Sequence, residues 1–294
     1  MIPRSINHIV MTKNMKFHST SIIIVLLFIC VSVRAEQLRI DHAIIAVHNL
    51  EEAVATYKEM GFTIKPGRLH NNGLINSHIK FSDKTELELM SVAKEPIDSI
   101  SSTYSNFLQT GEGGAYIAFS GLKVRAIKAK LRKHNVEHKI IRGRLWDYVV
   151  FPEGSGIDHL FFIEKHKSFT NEEWVYKHDN SVKAIKRIWI EGGNNLAKLL
   201  KLFDAHPCAN ISPHNKSPET VYSIDDTELI VVPPQKQEAR LRFIGMGFDN
   251  YYSMYKKHFP DKHGIFIEFS ANLQCNKTSH NKANAADAKN IAAD

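Results

Sequence analysis

The sequence predicts an α+β fold assembled from repeated β-α-β-β-β units, and three observations predict it. Leu38–Val47 and Thr85–Val92 are apolar, β-branched runs, separated by one helix-patterned stretch and two shorter strand-like runs. That order recurs in a second and a third stretch, and incompletely in a fourth. Phe81-Ser82-Asp83-Lys84-Thr85-Glu86-Leu87 is echoed by Ser223-Ile224-Asp225-Asp226-Thr227-Glu228-Leu229 at the same point of the third unit, as an internal repeat would be.

In the first unit, Leu38–Val47 is the opening strand. Asn49 offers an N-cap with Glu52 three residues on. Leu50, Val54, Tyr57 and Met60 recur at helical spacing, and Gly61 ends the helix. Phe62–Lys65 is a short strand stopped by Pro66-Gly67, and a loop through His70–Gly73 follows. Leu74–Phe81 and Thr85–Val92 form a hairpin around Ser82-Asp83-Lys84. Residues 93–112 are polar and read as a linker with a short helix near Tyr104–Leu108.

The second unit has a strand at Ala115–Ser120 and a helix faced by Val124, Ile127, Leu131 and His134. Strands at Ile140-Ile141, Trp146–Phe151 and Leu160–Glu164 complete it, with Gly154-Ser155-Gly156 turning between the last two. The third opens at Ala184–Ile190, continues through a helix at Leu196–Phe203 capped by Asn194 or Asn195, and closes with strands Val221–Ile224 and Thr227–Val232. In the fourth, Leu241–Gly247 is a strand, Tyr251–Phe259 a helix and Gly264–Ser270 a closing strand. From Ala271 onward nothing apolar is periodic, and a disordered tail is expected.

The first thirty-five residues read as a signal peptide. Lys13 and Lys16 precede an apolar run from Ile22 to Val33, and Val33-Arg34-Ala35 presents a cleavage site. The run is short for a membrane span, so an exported chain beginning near Glu36 is expected, without a stable membrane anchor. Removing Arg4, Lys13, Lys16 and Arg34 lowers the formal charge from +7 to +3. So mild a charge, with no basic cluster carrying interleaved aromatics, argues against nucleic acid as a partner. Cys208 and Cys275 remain, and in an oxidising compartment they either pair or stay as two free thiols; the spacing leaves both open. Asn210, Asn215 and Asn276 begin glycosylation sequons.

Ile40-Asp41-His42-Ala43-Ile44-Ile45-Ala46-Val47, Asn49-Leu50-Glu51-Glu52-Ala53, Met60-Gly61-Phe62 and Leu87-Glu88-Leu89 together resemble the glyoxalase, bleomycin-resistance and extradiol-dioxygenase (vicinal oxygen chelate) superfamily, among its glyoxalase-like domains. The resemblance implies modules that pair into two domains (residues 36–170 and 171–270) with cup-shaped mixed sheets. It also implies a divalent ion such as Zn, Mn, Ni or Fe, held by a His from a module's first strand and a Glu from its last. Carried onto this chain, those are His42 and Glu88, with Glu88 also the catalytic candidate. The second module lacks the pair: the position matching His42 falls near Ala115, and no Glu is placed as a ligand. In the third, Arg187 and Ile230 stand where His and Glu would be, while Glu268 sits like a closing-strand ligand.

Each candidate has a competing structural reading. His42 is a ligand or a hydrogen-bonded strand-start His. Glu88 shares its strand face with Glu86, which is either a solvated face or the interior of the cup. His70, in a loop that the resemblance places at the cavity mouth, and His78, on the third strand, are substrate-binding candidates. So are His159, before the last strand of the second unit, and Arg187, suited to a carboxylate. Two functions follow: a metal-dependent lyase, isomerase or dioxygenase acting on a small oxygenated molecule, or a non-catalytic protein that sequesters a small molecule in the same cup.

Overall fold

The computed structural model describes residues 36–168, 170–208, 219–233, 243–249, 259–269 and 275. The signal segment, the three sequons, the expected helix from Tyr251 and most of the expected disordered tail lie outside them. Every described residue belongs to one compact unit that begins at Glu36.

The first module runs β1 (Arg39–Ala46), α1 (Leu50–Glu59), β2 (Lys65–Leu69), β3 (Leu74–Lys80) and β4 (Glu86–Val92). Asn49 caps α1 as expected, its Oδ1 accepting from the backbone N–H groups of Glu51 and Glu52 at 3.0 and 3.2 Å. Gly61, at φ +83°, closes the helix in the left-handed region that favours glycine. Pro66-Gly67 was expected to stop a strand but lies inside β2. That strand sits at the end of the sheet path and, among the described residues, pairs only with β3, so a proline without an N–H is tolerated there.

Residues 93–112 are more than a linker. They hold α2 (Ser99–Leu108), started by Asp98, whose carboxylate accepts from Ser101 N at 2.7 Å in a capping box. The second module follows as β5 (Gly113–Ser120), α3 (Val124–Lys133), β6 (Lys139–Arg142), β7 (Trp146–Val150) and β8 (Leu160–Lys165). A 3₁₀ turn at Glu173–Tyr176 leads to the third: β9 (Ile185–Glu191), α4 (Asn194–Leu202), β10 (Thr220–Ile224) and β11 (Thr227–Val232). Gly193, not Asn194 or Asn195, is the N-cap of α4. The fourth contributes β12 (Phe243–Phe248), β13 (Phe259–Lys262) and β14 (Ile265–Phe269). Phe259, expected to end a helix, begins β13.

In every module the first strand pairs in parallel with the last. Ala43 lies opposite Leu87, Ile117 opposite Leu160, Ile188 opposite Leu229 and Met246 opposite Ile267. The repeat is therefore one of hydrogen-bond register as well as element order. First strands also pair antiparallel across modules, β1 with β5 and β9 with β12. β12 meets β5 at Phe243 and Gly114, where a Cβ on Gly114 would lie 2.3 Å from the Phe243 carbonyl. The sheet path runs β10-β11-β9-β12-β5-β1-β4-β3-β2, with β8-β7-β6 branching from β5 and β14-β13 from β12.

Strand alternation splits the apolar residues between two faces. One face packs against α1, α3 and α4 through Ala53, Tyr57, Ile127, Leu131, Leu196 and Leu199, in the main core. Each fully buried Leu or Ile side chain there contributes roughly 1.5–3 kcal/mol. The opposite face of β1, β4 and β5 is partly covered by α2. Tyr104, Phe107 and Leu108 pack on Ile44, Ala46, Leu74, Met90 and Ala115 in a second cluster. What α2 leaves uncovered is the concave surface that carries the polar candidates.

Candidate functional site

β1 turns His42, Ile44 and Ala46 to the concave face, and the parallel register of β4 sets Glu86 beside His42 and Glu88 beside Ile44. The antiparallel register of β3 adds Asn76, His78 and Lys80, opposite Met90, Glu88 and Glu86. Glu86 and Glu88 therefore face inward; the solvated-face reading does not hold, and the Glu88 side chain is only 12% exposed.

His42 Nδ1 lies 2.8 Å from Asp41 Oδ1, which also accepts from Lys165 Nζ at 2.9 Å. Asp41 and Lys165 were not singled out in the sequence. A carboxylate can only accept, so Nδ1 carries the hydrogen and the ring is fixed in orientation. The remaining ring nitrogen, Nε2, is 3.9 Å from Glu88 Oε2. Glu88 Oε1 accepts from Asn76 Nδ2 at 2.6 Å. Asn76 is itself held, since its Oδ1 accepts from Arg68 N at 3.0 Å. Each partner of the pair is thus clamped by one atom and presents the other. Beside them, Glu86 bonds both His78 Nδ1 and Lys80 Nζ.

Burial pushes the Asp41 carboxyl up, but the hydrogen bond and charge of His42, with the Lys165 ammonium, hold it well below the usual range. Burial pushes His42 down, yet its bond to Asp41 and the charges of Asp41, Glu88 and Glu86 raise it above an ordinary histidine. For Glu86, burial is likewise outweighed, by the His78 bond and the charges of Lys80, His78 and His42, and its carboxyl falls to about 2. The cluster is an array of paired charges, with an imidazole more basic than usual at its centre.

The second module supplies a different surface. Because Ile117 and Leu160 occupy the register positions of Ala43 and Leu87, Tyr116 stands where His42 does, Phe161 where Glu88 does and His159 where Glu86 does. The counterpart of His42 is therefore Tyr116, one residue beyond Ala115. Phe161 lies edge-on to His42 at 5.6 Å between ring centroids, 6.3 Å from Tyr116 and 6.0 Å from Tyr148. Tyr104 reaches from α2 to within 5.3 Å of Tyr116. Burial and then the Glu88 charge raise the Tyr148 phenol above its ordinary value. Nothing in the sequence marked these rings as site residues; only the register between β5 and β8 does.

The other candidates separate. His78 joins the cluster through Glu86. His70 lies before the Asn71–Gly73 turn, where its backbone N–H donates to Leu74 O at 2.7 Å. His159 is buried on the second module, its Nδ1 4.0 Å from Asp158 Oδ1, and burial depresses it despite that carboxylate. Arg187 belongs to the third module. Its Nε donates to Glu228 Oε2 at 2.8 Å, its Nη1 is 3.6 Å from Glu268 Oε2, and Cys275 N donates to Glu228 Oε1 at 2.6 Å. Those carboxylates neutralise the guanidinium within its own half. Glu268 does occupy the register of Glu88, since Ile267 opposite Met246 matches Leu87 opposite Ala43.

Two donors 3.9 Å apart can reach one divalent ion, as metal–ligand bonds of about 2.0–2.2 Å span up to about 4 Å. A third protein donor is lacking: among the described residues no three His, Cys, Asp or Glu side chains gather as a metal site. With Tyr116 and Phe161 at the symmetry-related positions, His42 and Glu88 supply only half of a four-ligand set. The donor set does not fit a metal centre of three or four protein ligands.

No curated protein matches the chain. A crystal structure of a hypothetical protein from Staphylococcus aureus superposes with a TM-score of 0.61 at 15% identity, over 80% of this chain and 100% of that one. A xylose isomerase-like TIM barrel/4-hydroxyphenylpyruvate dioxygenase fusion protein gives 0.51 at 12% identity, over 74% of this chain and 37% of its own. A Streptomyces coelicolor methylmalonyl-CoA epimerase in complex with 2-nitronate-propionyl-CoA gives 0.37 at 24%, over 45% and 99%. The profile of the glyoxalase-like domain matches residues 40–205, more than half of the chain. With that match, and with β-α-β-β-β modules in a mixed sheet, the chain belongs to the glyoxalase-like domain family of the vicinal oxygen chelate superfamily.

Proposed function

We propose that the concave face of the first two modules binds a small oxygenated molecule and that His42 and Glu88 act on it as an acid–base pair. One observation carries this: Nε2 and Oε2 face each other across 3.9 Å while their companion atoms are clamped by Asp41 and Asn76. A carbonyl oxygen accepting from the Nε2–H would bring its neighbouring carbon toward Glu88 Oε2. Glu88 then takes the proton from that carbon. The C–H electron pair becomes the C=C of an enolate, and the oxygen's negative charge is held by the imidazolium. Return of the proton to the same or an adjacent carbon gives exchange or isomerisation.

The test uses hydroxyacetone in D₂O, followed by NMR. Deuterium should enter the carbons beside the carbonyl faster with the protein than without it, and Glu88→Gln should abolish the excess. Binding without exchange would replace this reading by the sequestering one. The loss of the His and Glu counterparts in the second module favours that alternative.

We further propose that the protein is exported after cleavage near Ala35. Lys13 and Lys16 ahead of the apolar Ile22–Val33 run support this. So does the Cys208–Cys275 disulfide, whose Cα atoms are 5.7 Å apart, since such bridges persist in oxidising compartments. N-terminal sequencing of the protein outside the cytoplasm should begin at Glu36. An intact, cell-retained chain would count against export.

A further inference from the structure

We propose that the ligand of the first cup has an aromatic body, with its ring seated on the second-module half while its oxygens meet His42 and Glu88. This rests on the acid–base reading of that cup and names the class of molecule it takes. The two halves share one backbone register but carry opposite chemistry. Where the first module places His42 and Glu88, the second places Tyr116 and Phe161.

Phe161 is the informative residue. Its strand neighbours Leu160 and Phe162 are fully buried on the helix-packed face, whereas Phe161 points to the concave side, half-buried against the edge of the second apolar cluster. The part of the ring that this cluster leaves accessible borders His42, so an apolar body placed there would extend the cluster up to the polar groups. Tyr116 and Tyr148, both half-buried, flank it at 6.3 and 6.0 Å, and His42 meets its edge at 5.6 Å. Ring centroids about 4.5–7 Å apart are the spacing at which aromatic groups attract edge-to-face or offset. A flat ring added beside Phe161 would continue that arrangement, and a substituent on it would reach the Nε2 and Oε2 atoms.

The head group is constrained as well. Asp41, Glu86 and Glu88 are balanced by His42, His78, Lys80 and Lys165 within the cluster. Each of these basic groups already faces a carboxylate of the cluster: His42 and Lys165 face Asp41, and His78 and Lys80 face Glu86. A neutral head with one oxygen to accept from His42 and one hydroxyl to donate to Glu88 fits these atoms. An aryl α-hydroxyketone meets both demands.

The test is titration calorimetry of the full chain with α-hydroxyacetophenone and with hydroxyacetone, which share the head and differ in body. The aryl ketone should bind about tenfold tighter. Phe161→Leu keeps an apolar side chain at the position and should fold; it should lower that ratio severalfold, whereas a disturbance passed on to His42 would weaken both ligands alike. His42→Gln should weaken both ligands alike and preserve the ratio. Equal affinities in the wild-type chain, or a ratio untouched by Phe161→Leu, would overturn the aromatic body while leaving the cup as a ligand site. Failure of both ketones to bind would overturn the cup reading itself.

Discussion

His42 draws its unusual basicity from an Asp41 that lies beside it in sequence and against it in space, 2.8 Å from Nδ1. Its folded pKa is raised, so its share of the stability is fully present below the ordinary value of 6.5 and is lost as pH climbs through the folded value. Asp41 and Glu86 are shifted down. Their share is present above the ordinary carboxylate range and is lost as pH falls, for Glu86 toward about 2. The cluster is most stabilising between those two ranges. Asp41→Asn should therefore cost about 1–3 kcal/mol by urea denaturation near pH 5.5, and less as pH climbs through the raised folded value of His42. NMR titration of the His42 ring in the variant should show its pKa falling toward 6.5. An unchanged value would remove Asp41 from the site.

Among the elements, α2 separates what the sequence displayed from what it concealed. The strands and helices of the modules were legible because their burial follows periods of two and 3.6 through runs such as Leu38–Val47 and Leu50–Met60. The helix Ser99–Leu108 was legible only in its second half, Tyr104–Leu108: its Ser-rich start mimics a linker and lies in an Asp98–Ser101 capping box at the edge of a polar run. The His42–Glu88 pair was legible from strand parity, while its context was not. Asp41 and Lys165 are 124 residues apart in sequence, and Asn76 reaches Glu88 across a hairpin register that no local pattern encodes. Tyr116 and Phe161 emerged only from comparing register between modules. If α2 is a structural lid on the second core cluster, Leu108→Ala should destabilise by about 2–5 kcal/mol. Ile100→Ala, on the half-exposed side of the same helix, should stay within about 0.5 kcal/mol. Equal effects of the two in chemical denaturation would mean that α2 does not pack as described.

Across the whole molecule, the two halves keep the modular register and diverge in what fills it. The first carries the clamped His42–Glu88 pair. The second carries Arg187 neutralised between Glu228 and Glu268, with Cys275 bonded to Glu228 and bridged to Cys208. The bridge closes a separation of 67 residues, and replacing both cysteines by serine should cost about 2–4 kcal/mol, visible as a lowered Tm. A Tm unchanged by the double replacement would show that the bridge does not constrain the folded chain. In the first half, the proposed acid–base pair has His42 and Glu88 act on the ligand directly, without a metal ion. The decisive measurement is elemental analysis of the purified protein after incubation with Zn, Mn, Ni and Fe, beside His42→Ala and Glu88→Ala. Metal should stay well below one equivalent, unchanged in either variant. One equivalent of a single metal, lost in both variants, would contradict the acid–base pair and make His42 and Glu88 metal ligands.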